Sequence, residues 1–361
     1  MQARSDGAPL VGIIANPVSA RDIRRVIANA NSLQLADRVN IVLRLLAALS
    51  ACGIERVMMM PDREGLRVML ARHLSRHLSR HQGPDAGLPA VEYIDMPVTA
   101  RVDDTLNAAR HMADAGVAVI IVLGGDGTHR AVVRECGGVP IAGLSTGTNN
   151  AFPEMREPTI TGLAAGLYAM GQVPASQALA SNKRLDIVIR DADGGFRRDI
   201  ALVDAVIAHE HFIGARALWK ADTLAAVYVA FADPQAIGLS AIAGLLEPLG
   251  RREPGGLAIE LAVPGQGEFV LRAPIAPGLL CPVDVAGWQY LEHARPHRVR
   301  QRSGIVALDG ERELAFGPCD EVSITLHEHA FRSIDVAACM RYAARERLMR
   351  SVSLTQPAIT Y

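Results

Sequence analysis

A run of apolar residues, 117–123, leads directly into Gly124-Gly125-Asp126-Gly127-Thr128, and residues 129–136 continue with a pattern that suits a helix. In open α/β sheets ligands bind beyond the carboxyl ends of strands, where glycines let the backbone approach a phosphate and a helix N-terminus faces it. A carboxylate in the middle of such a loop repels phosphate unless it holds Mg²⁺ or accepts a proton from a substrate hydroxyl. Asp126 is therefore the leading catalytic candidate. The next apolar run, 141–144, opens into Ser145-Thr146-Gly147-Thr148-Asn149-Asn150, a loop of hydroxyls and amides. The first, 10–15, opens into Asn16-Pro17-Val18-Ser19-Ala20, with Arg21, Arg24 and Arg25 close behind. A single G-G-D-G can be a plain turn, but three polar loops after three buried strands point to one cleft that handles phosphates.

These loops need a scaffold of alternating strands and helices. Apolar runs suited to buried strands recur at 10–15, 56–60, 90–94, 117–123 and 139–144, and residues 36–51 and 102–115 between them carry apolar side chains at helical spacing. That alternation predicts a parallel sheet covered on both faces. After about residue 155 the rhythm changes: 184–190 and 197–209 read as strands around the hairpin turn Asp191-Ala192-Asp193-Gly194-Gly195. Further strands are predicted at 257–263, 268–272, 287–291, 304–308 and 321–326, with a helical piece at 234–246. The expected organisation is an α/β N-terminal domain with a parallel sheet over 1–155 and a β-rich, mostly antiparallel C-terminal domain over 156–335. A terminal helix, 336–361, can pack back on the first.

Composition narrows the function. The chain has 361 residues, 50% of them apolar and 21% charged, as ordinary globular proteins have. A net charge of −1 leaves no excess to hold nucleic acid or an anionic membrane, so neither is an expected partner. All but two of the 37 basic residues are Arg, the lysines being Lys183 and Lys220, and no Gly-Lys pair of a Walker P-loop occurs. Phosphates must then be held by Arg, backbone N–H groups or metal. Five scattered cysteines without a C-x-x-C pair suit a reducing cytoplasm. The apolar runs are too short to cross a bilayer, and the opening residues lack the apolar core of a signal peptide. The expectation is an unprocessed cytoplasmic protein.

Other polar clusters have plainer readings. His73, His77 and His81 share a helical face opposite Leu70, Leu74 and Leu78, which suits a helix that packs its leucines and solvates its other side. Two His-Glu-His triplets, 209–211 and 327–329, each put both histidines on one side of a strand, and His209 is retained as a candidate for substrate contact. Arg298, Arg300 and Arg302 read as a solvated edge strand.

GGDGT after a buried strand, NPxS at the first strand end and TGTNN one strand later resemble the superfamily of NAD kinases, diacylglycerol kinases and sphingosine kinases. Within it the chain is similar to the acetoin-catabolism protein X group through VGIIANPVSARDIRR, VLGGDGTHRAV, GLSTGTNNAFP, FIGARALWK, IGLSAIAGL and ALDGERE, spread over residues 11–316. The resemblance implies a kinase that uses ATP and Mg²⁺ in a cleft between an α/β nucleotide domain and a β-rich domain. It implies that Gly124, Gly125, Gly127 and Thr128 contact ATP phosphates and that Asp126 activates the acceptor hydroxyl. Asn16 and Ser19 match an NPxSG segment with Ala20 in place of its Gly, and Thr146, Gly147, Thr148 and Asn149 match a GTGN segment that lines the nucleotide site. Asp309-Gly310-Glu311 matches the D-G-E of diacylglycerol kinases, which implies catalytic roles for Asp309 and Glu311. Base and metal duties stay open between Asp126 and Asp309.

The acceptor implied is the 2′-hydroxyl of NAD, giving NADP, with a link to acetoin catabolism. Where NAD kinases carry an Asn-Glu pair, this chain has Val203-Asp204, which makes Asp204 the substrate-side candidate. Their T-G-S-T-A-Y segment is represented only by Ile237-Gly238-Leu239-Ser240-Ala241. Those departures admit another small-metabolite or lipid-like alcohol as acceptor, or a nucleotide-sensing accessory protein without catalysis. A homo-oligomer is expected by analogy with NAD kinase-like proteins.

Overall fold

Five apolar runs form the parallel strands β1 (Val11–Ala15), β2 (Arg56–Met59), β3 (Ala90–Tyr93), β4 (Val119–Gly124) and β5 (Ile141–Ser145), in spatial order β3-β2-β1-β4-β5. This computed structural model describes residues 8–15, 34–80, 87–147, 150–209, 223–310 and 312–350. β1 and β4 are buried along their whole length, as continuous Val/Ile/Leu strands covered on both faces must be. The helices α1 (Leu35–Ala51), α2 (Leu66–Arg80), α3 (Val102–Asp114) and α4 (Asp126–Glu135) alternate with them. α1 sends Val39, Val42, Leu46 and Leu49 of the stripe that its spacing predicts into the core; Leu45 joins them, while Leu43, expected on the same face, is only half-buried.

Two features of the sheets lie beyond local pattern. The first concerns residue 155, where the rhythm of the sequence changes. The sheet continues through that point, because β16 (Glu321–Ile334) adds to the open edge of β5 in parallel, with Ser333 opposite Ile141. β6 (Leu179–Arg190) and β7 (Phe196–Ala201) follow it antiparallel, and β13 (Pro296–Arg298) pairs with β16, which completes nine strands. The second concerns 197–209, which reads as one strand. It is divided: β7 lies in the first sheet and β8 (Asp204–Ala208) in the second, so the chain changes sheets at Leu202-Val203.

The second sheet is antiparallel throughout, in the order β11-β12-β10-β9-β8-β14-β15. Its remaining strands are β9 (Leu224–Val229), β10 (Gly256–Leu261), β11 (Phe269–Ala276), β12 (Leu279–Leu291), β14 (Gly304–Leu308) and β15 (Arg312–Phe316). Ile187 and Ile189 of β6 meet Ile207, Val306 and Leu308 of this sheet and Val132 and Val133 of α4 in one shared core.

The opposite face of the first sheet packs on α1, α5 (Pro158–Ala169), α6 (Ala175–Ala178) and α8 (Val336–Arg345). The terminal helix therefore lies on the helical layer of the first sheet, with Cys339 Sγ donating to the Ala164 carbonyl; residues 351–361 of the predicted helix lie outside the described residues. No helix among the described residues is long and apolar enough to cross a membrane. α5 approaches α1 through glycine: a Cβ on Gly162 would stand 2.8 Å from the Ala48 Cβ. Gly162→Val should therefore force the helices apart and cost about 1–3 kcal/mol, read as a lower midpoint in urea unfolding.

Candidate functional site

β4 ends at Gly124, Gly125 caps in an extended conformation, and α4 begins at Asp126, so the helix starts inside the motif. Gly124 is required by close approach, since a Cβ there would stand 2.5 Å from the Thr128 Cβ. The Asp126 carboxylate accepts from the backbone N–H of Ala151 at 2.9 Å and of Phe152 at 2.8 Å, tying the loop after β5 to the first turn of α4. That loop is braced internally: Ser145 Oγ donates to the Gly147 carbonyl at 2.6 Å, and Asn150 Nδ2 donates to Ser145 Oγ at 2.7 Å. Thr146 is buried, and its hydroxyl has no hydrogen-bond partner among the described residues.

From the second sheet's side, Arg251 donates to the carbonyl of Phe152 at 2.7 Å and to that of Ala151. The peptide units of Ala151 and Phe152 are therefore held on their N–H side by Asp126 and on their C=O side by Arg251. The guanidinium also lies over the rings of Phe231, at 4.7 Å, and Phe152, at 5.4 Å.

One helical turn beyond Asp126, on the same face, Arg130 reaches Asp199 of β7 at 3.4 Å and Asp309 at 3.6 Å. Arg134 adds a contact to Asp199 at 3.4 Å. Asp309 follows β14 in a left-handed conformation, φ +46°, and its carboxylate is fully buried. It accepts from the N–H groups of Leu202, Val203 and Asp204 at 2.9–3.2 Å, where the chain changes sheets. Burial pushes this carboxyl up, against the pull of Arg130 and the three amides.

The structure thus links Asp309 to Asp204 where the chain changes sheets, and Asp309 reaches α4 through Arg130, one turn beyond Asp126. Asp204 is buried at the start of β8, and its carbonyl accepts from the Asp309 N–H at 3.0 Å. His209 follows the other end of that strand, roughly 16 Å away at the usual rise per residue, so the two substrate-side candidates are separated. Asn16, Ser19, Thr148, Asn149 and Glu311 lie outside the described residues. Among the described residues, no group of three or more His, Cys, Asp or Glu is placed to hold a metal ion. Sequence reasoning missed Arg130, Asp199 and Arg251. Arg130 had a usable signal, four residues after Asp126 on a predicted helix, whereas Arg251 sits in a turn with none.

A profile described as the ATP-NAD kinase N-terminal domain matches residues 11–173, and one described as the acetoin catabolism protein X C-terminal domain matches residues 183–329. Acetoin catabolism protein X of Cupriavidus necator is 84% identical over 351 residues, which cover 97% of this chain and 96% of that protein. The chain belongs to the acetoin catabolism protein X family. Two solved structures are also similar. Yeast NADH kinase complexed with NADH is 13% identical, with a TM-score of 0.47 over 97% of this chain and 91% of its own. A diacylglycerol kinase from Bacillus anthracis is 12% identical, with a TM-score of 0.44 over 92% of this chain and 98% of its own.

In this member of the acetoin catabolism protein X family, His129 stands at the centre of the motif helix. Its Nδ1 pairs with the Gly125 carbonyl at 2.8 Å, and burial, with the Arg251 charge adding to it, pushes its pKa down to about 4. Below pH 6.5 the unfolded chain takes a proton on this residue that the folded chain refuses until about pH 4. Stability should fall across that window by up to about 3 kcal/mol, and His129→Asn should flatten the dependence in urea titrations. Asp309→Ala strands three amides and leaves Arg130 with only one of its two carboxylates, and should lower unfolding free energy by about 3–5 kcal/mol. A carboxylate used for chemistry alone would leave the unfolding midpoint unmoved.

Proposed function

We propose that the chain is an ATP-dependent kinase that transfers a phosphoryl group to a hydroxyl, with the 2′-hydroxyl of NAD as acceptor and NADP as product. The observation that carries this reading is a fully buried strand opening through Gly124-Gly125 into a helix whose first residue is Asp126, within the segment that matches the ATP-NAD kinase N-terminal domain. A helix start of this kind offers N–H groups and the positive end of a dipole to phosphate. The donor set fits ATP: Gly124, Gly125, Gly127 and Thr128 line the turn, and the buried Thr146 hydroxyl lacks a partner among the described residues.

Mg²⁺ would be carried on the substrate phosphates with several of its waters kept, and Asp126 would reach it through one of those waters. When bound, the ion neutralises charge on the transferred group, a task that no P-loop lysine performs here. The protein's own share is positioning. Asp126 orients the acceptor hydroxyl and takes its proton, while the loop held by Asp126 and Arg251 fixes the phosphate-side geometry. Asp309 acts one step back, by setting the chain at Leu202–Asp204 and holding Arg130. A cytoplasmic setting belongs to this reading, and the free cysteines Cys52, Cys136 and Cys339 are buried thiols pushed up to about 11 by that burial.

One observation favours a different acceptor within the same chemistry. Val203 and Asp204, which stand in place of the Asn-Glu pair, are both buried, and the Asp204 backbone is tied to Asp309. A smaller alcohol would not need a dinucleotide-binding pair there.

NADP formation from Mg-ATP and NAD should be measurable with the purified protein and fall about 10²- to 10⁴-fold in Asp126→Asn. ATP binding without NADP would move the acceptor to another alcohol or leave a nucleotide sensor. Absence of ATP binding would remove the kinase reading.

A further inference from the structure

The turn over residues 250–255, between α7 (Ser240–Leu246) and β10, is braced from several sides. Lys183, one of only two lysines in the chain, is buried at 5% exposure and donates to the carbonyls of Gly250 at 3.1 Å and Gly255 at 2.7 Å. Glu253 accepts from the Gly250 N–H at 2.8 Å, and Glu328 accepts from the Gly255 N–H at 2.6 Å. Glu328 lies in an irregularity of β16, where the pairing with β6 shifts between His327 and Phe331 and three residues face Lys183 alone. Such bulges re-aim side chains. Arg252 is fixed as well, by an ion pair with Asp335.

The product of this bracing is a rigid turn that presents Arg251 to the other half of the molecule. Its guanidinium enters between Phe231 and Phe152 and ends on the two carbonyls whose N–H groups rest on Asp126. The charges of Glu154, Asp126 and Asp233 all act on it. A planar fork with five donors can satisfy two neighbouring carbonyls while stacking on a ring, which an ammonium cannot do.

We propose that Arg251 is a positioning residue of the nucleotide site: carried on the braced 250–255 turn, it fixes the Ala151–Phe152 peptides and through them the Asp126 carboxylate, so that the site is complete only when the two halves are docked. The nucleotide part of this inference rests on the kinase reading, and the loop part does not.

The test compares wild type with Arg251→Met, which keeps a long apolar stem, and Arg251→Lys, which keeps the charge. Amide hydrogen exchange is measured at Ala151 and Phe152 without nucleotide, and Mg-ATP affinity by calorimetry. Arg251→Met should speed exchange at these two amides by about tenfold or more while the amides of β1 and β4 stay protected. It should also weaken Mg-ATP binding by about tenfold, with Arg251→Lys between it and wild type. Combined with Asp126→Asn, it should add less than its separate effect, because both act on the same two peptides. Unchanged exchange and affinity in a folded Arg251→Met protein would overturn the proposal; if that variant does not fold, the same result in Arg251→Lys would. Faster exchange in a protein whose wild type binds no Mg-ATP would uphold the loop clamp and overturn the nucleotide assignment.

Discussion

A buried carboxylate that accepts three backbone N–H groups holds the two halves of this protein in register. Between Ala201 and Asp204 the chain leaves one sheet and enters another, and the amides there lose their place in a ladder. Buried and unpaired, each would cost on the order of 1–3 kcal/mol. Asp309 meets all three from a left-handed position after β14, and its own N–H closes the arrangement on the Asp204 carbonyl. The motif that resembles a catalytic D-G-E is thus also the means by which the polypeptide passes from one hydrogen-bonded surface to the next.

The same carboxylate faces Arg130, and Arg130 faces Asp199, so α4 is bound to both sheets through charges removed from water. A second tie sits one turn earlier, where Asp126 and Arg251 grip one loop from opposite sides. Both ties use a carboxylate and a guanidinium from different parts of the chain, and both converge on the helix that opens at the glycine motif. Buried pairs of this kind contribute modest net stability, but removal of one partner is costly because the other is left charged and unpaired. The position of that helix is accordingly set by these charges as well as by the packing of Val132 and Val133 in the shared core.

The parallel strands, α1, α3 and the start of α4 were legible because each follows from local pattern: a continuous apolar run, a 3.6-residue stripe, or glycines before a helix. The hairpin at 191–195 was legible for the same reason, with Gly194 at φ +89° where the turn needs it. What the pattern could not convey is pairing between distant segments. Nothing near Ile141 announces that its neighbour is Ser333, and no periodicity separates Ala201 from Asp204. Asp126 stood out as a carboxylate among glycines. Its hold on Ala151 and Phe152, and the arrival of Arg251 on their other side, depend on the fold and have no local signature.

The central place of β16 has a consequence for how the molecule comes into being. This strand lies between β5 and β6, yet it follows all the other described strands of both sheets in the chain. Until it arrives, the five parallel strands end in an unpaired edge at β5, and the β6–β7 hairpin has nothing to join. Exposed edges of this sort invite pairing with other chains, and closure over such a long separation in sequence is slow. The first sheet can therefore be completed only after the whole of the second has been made.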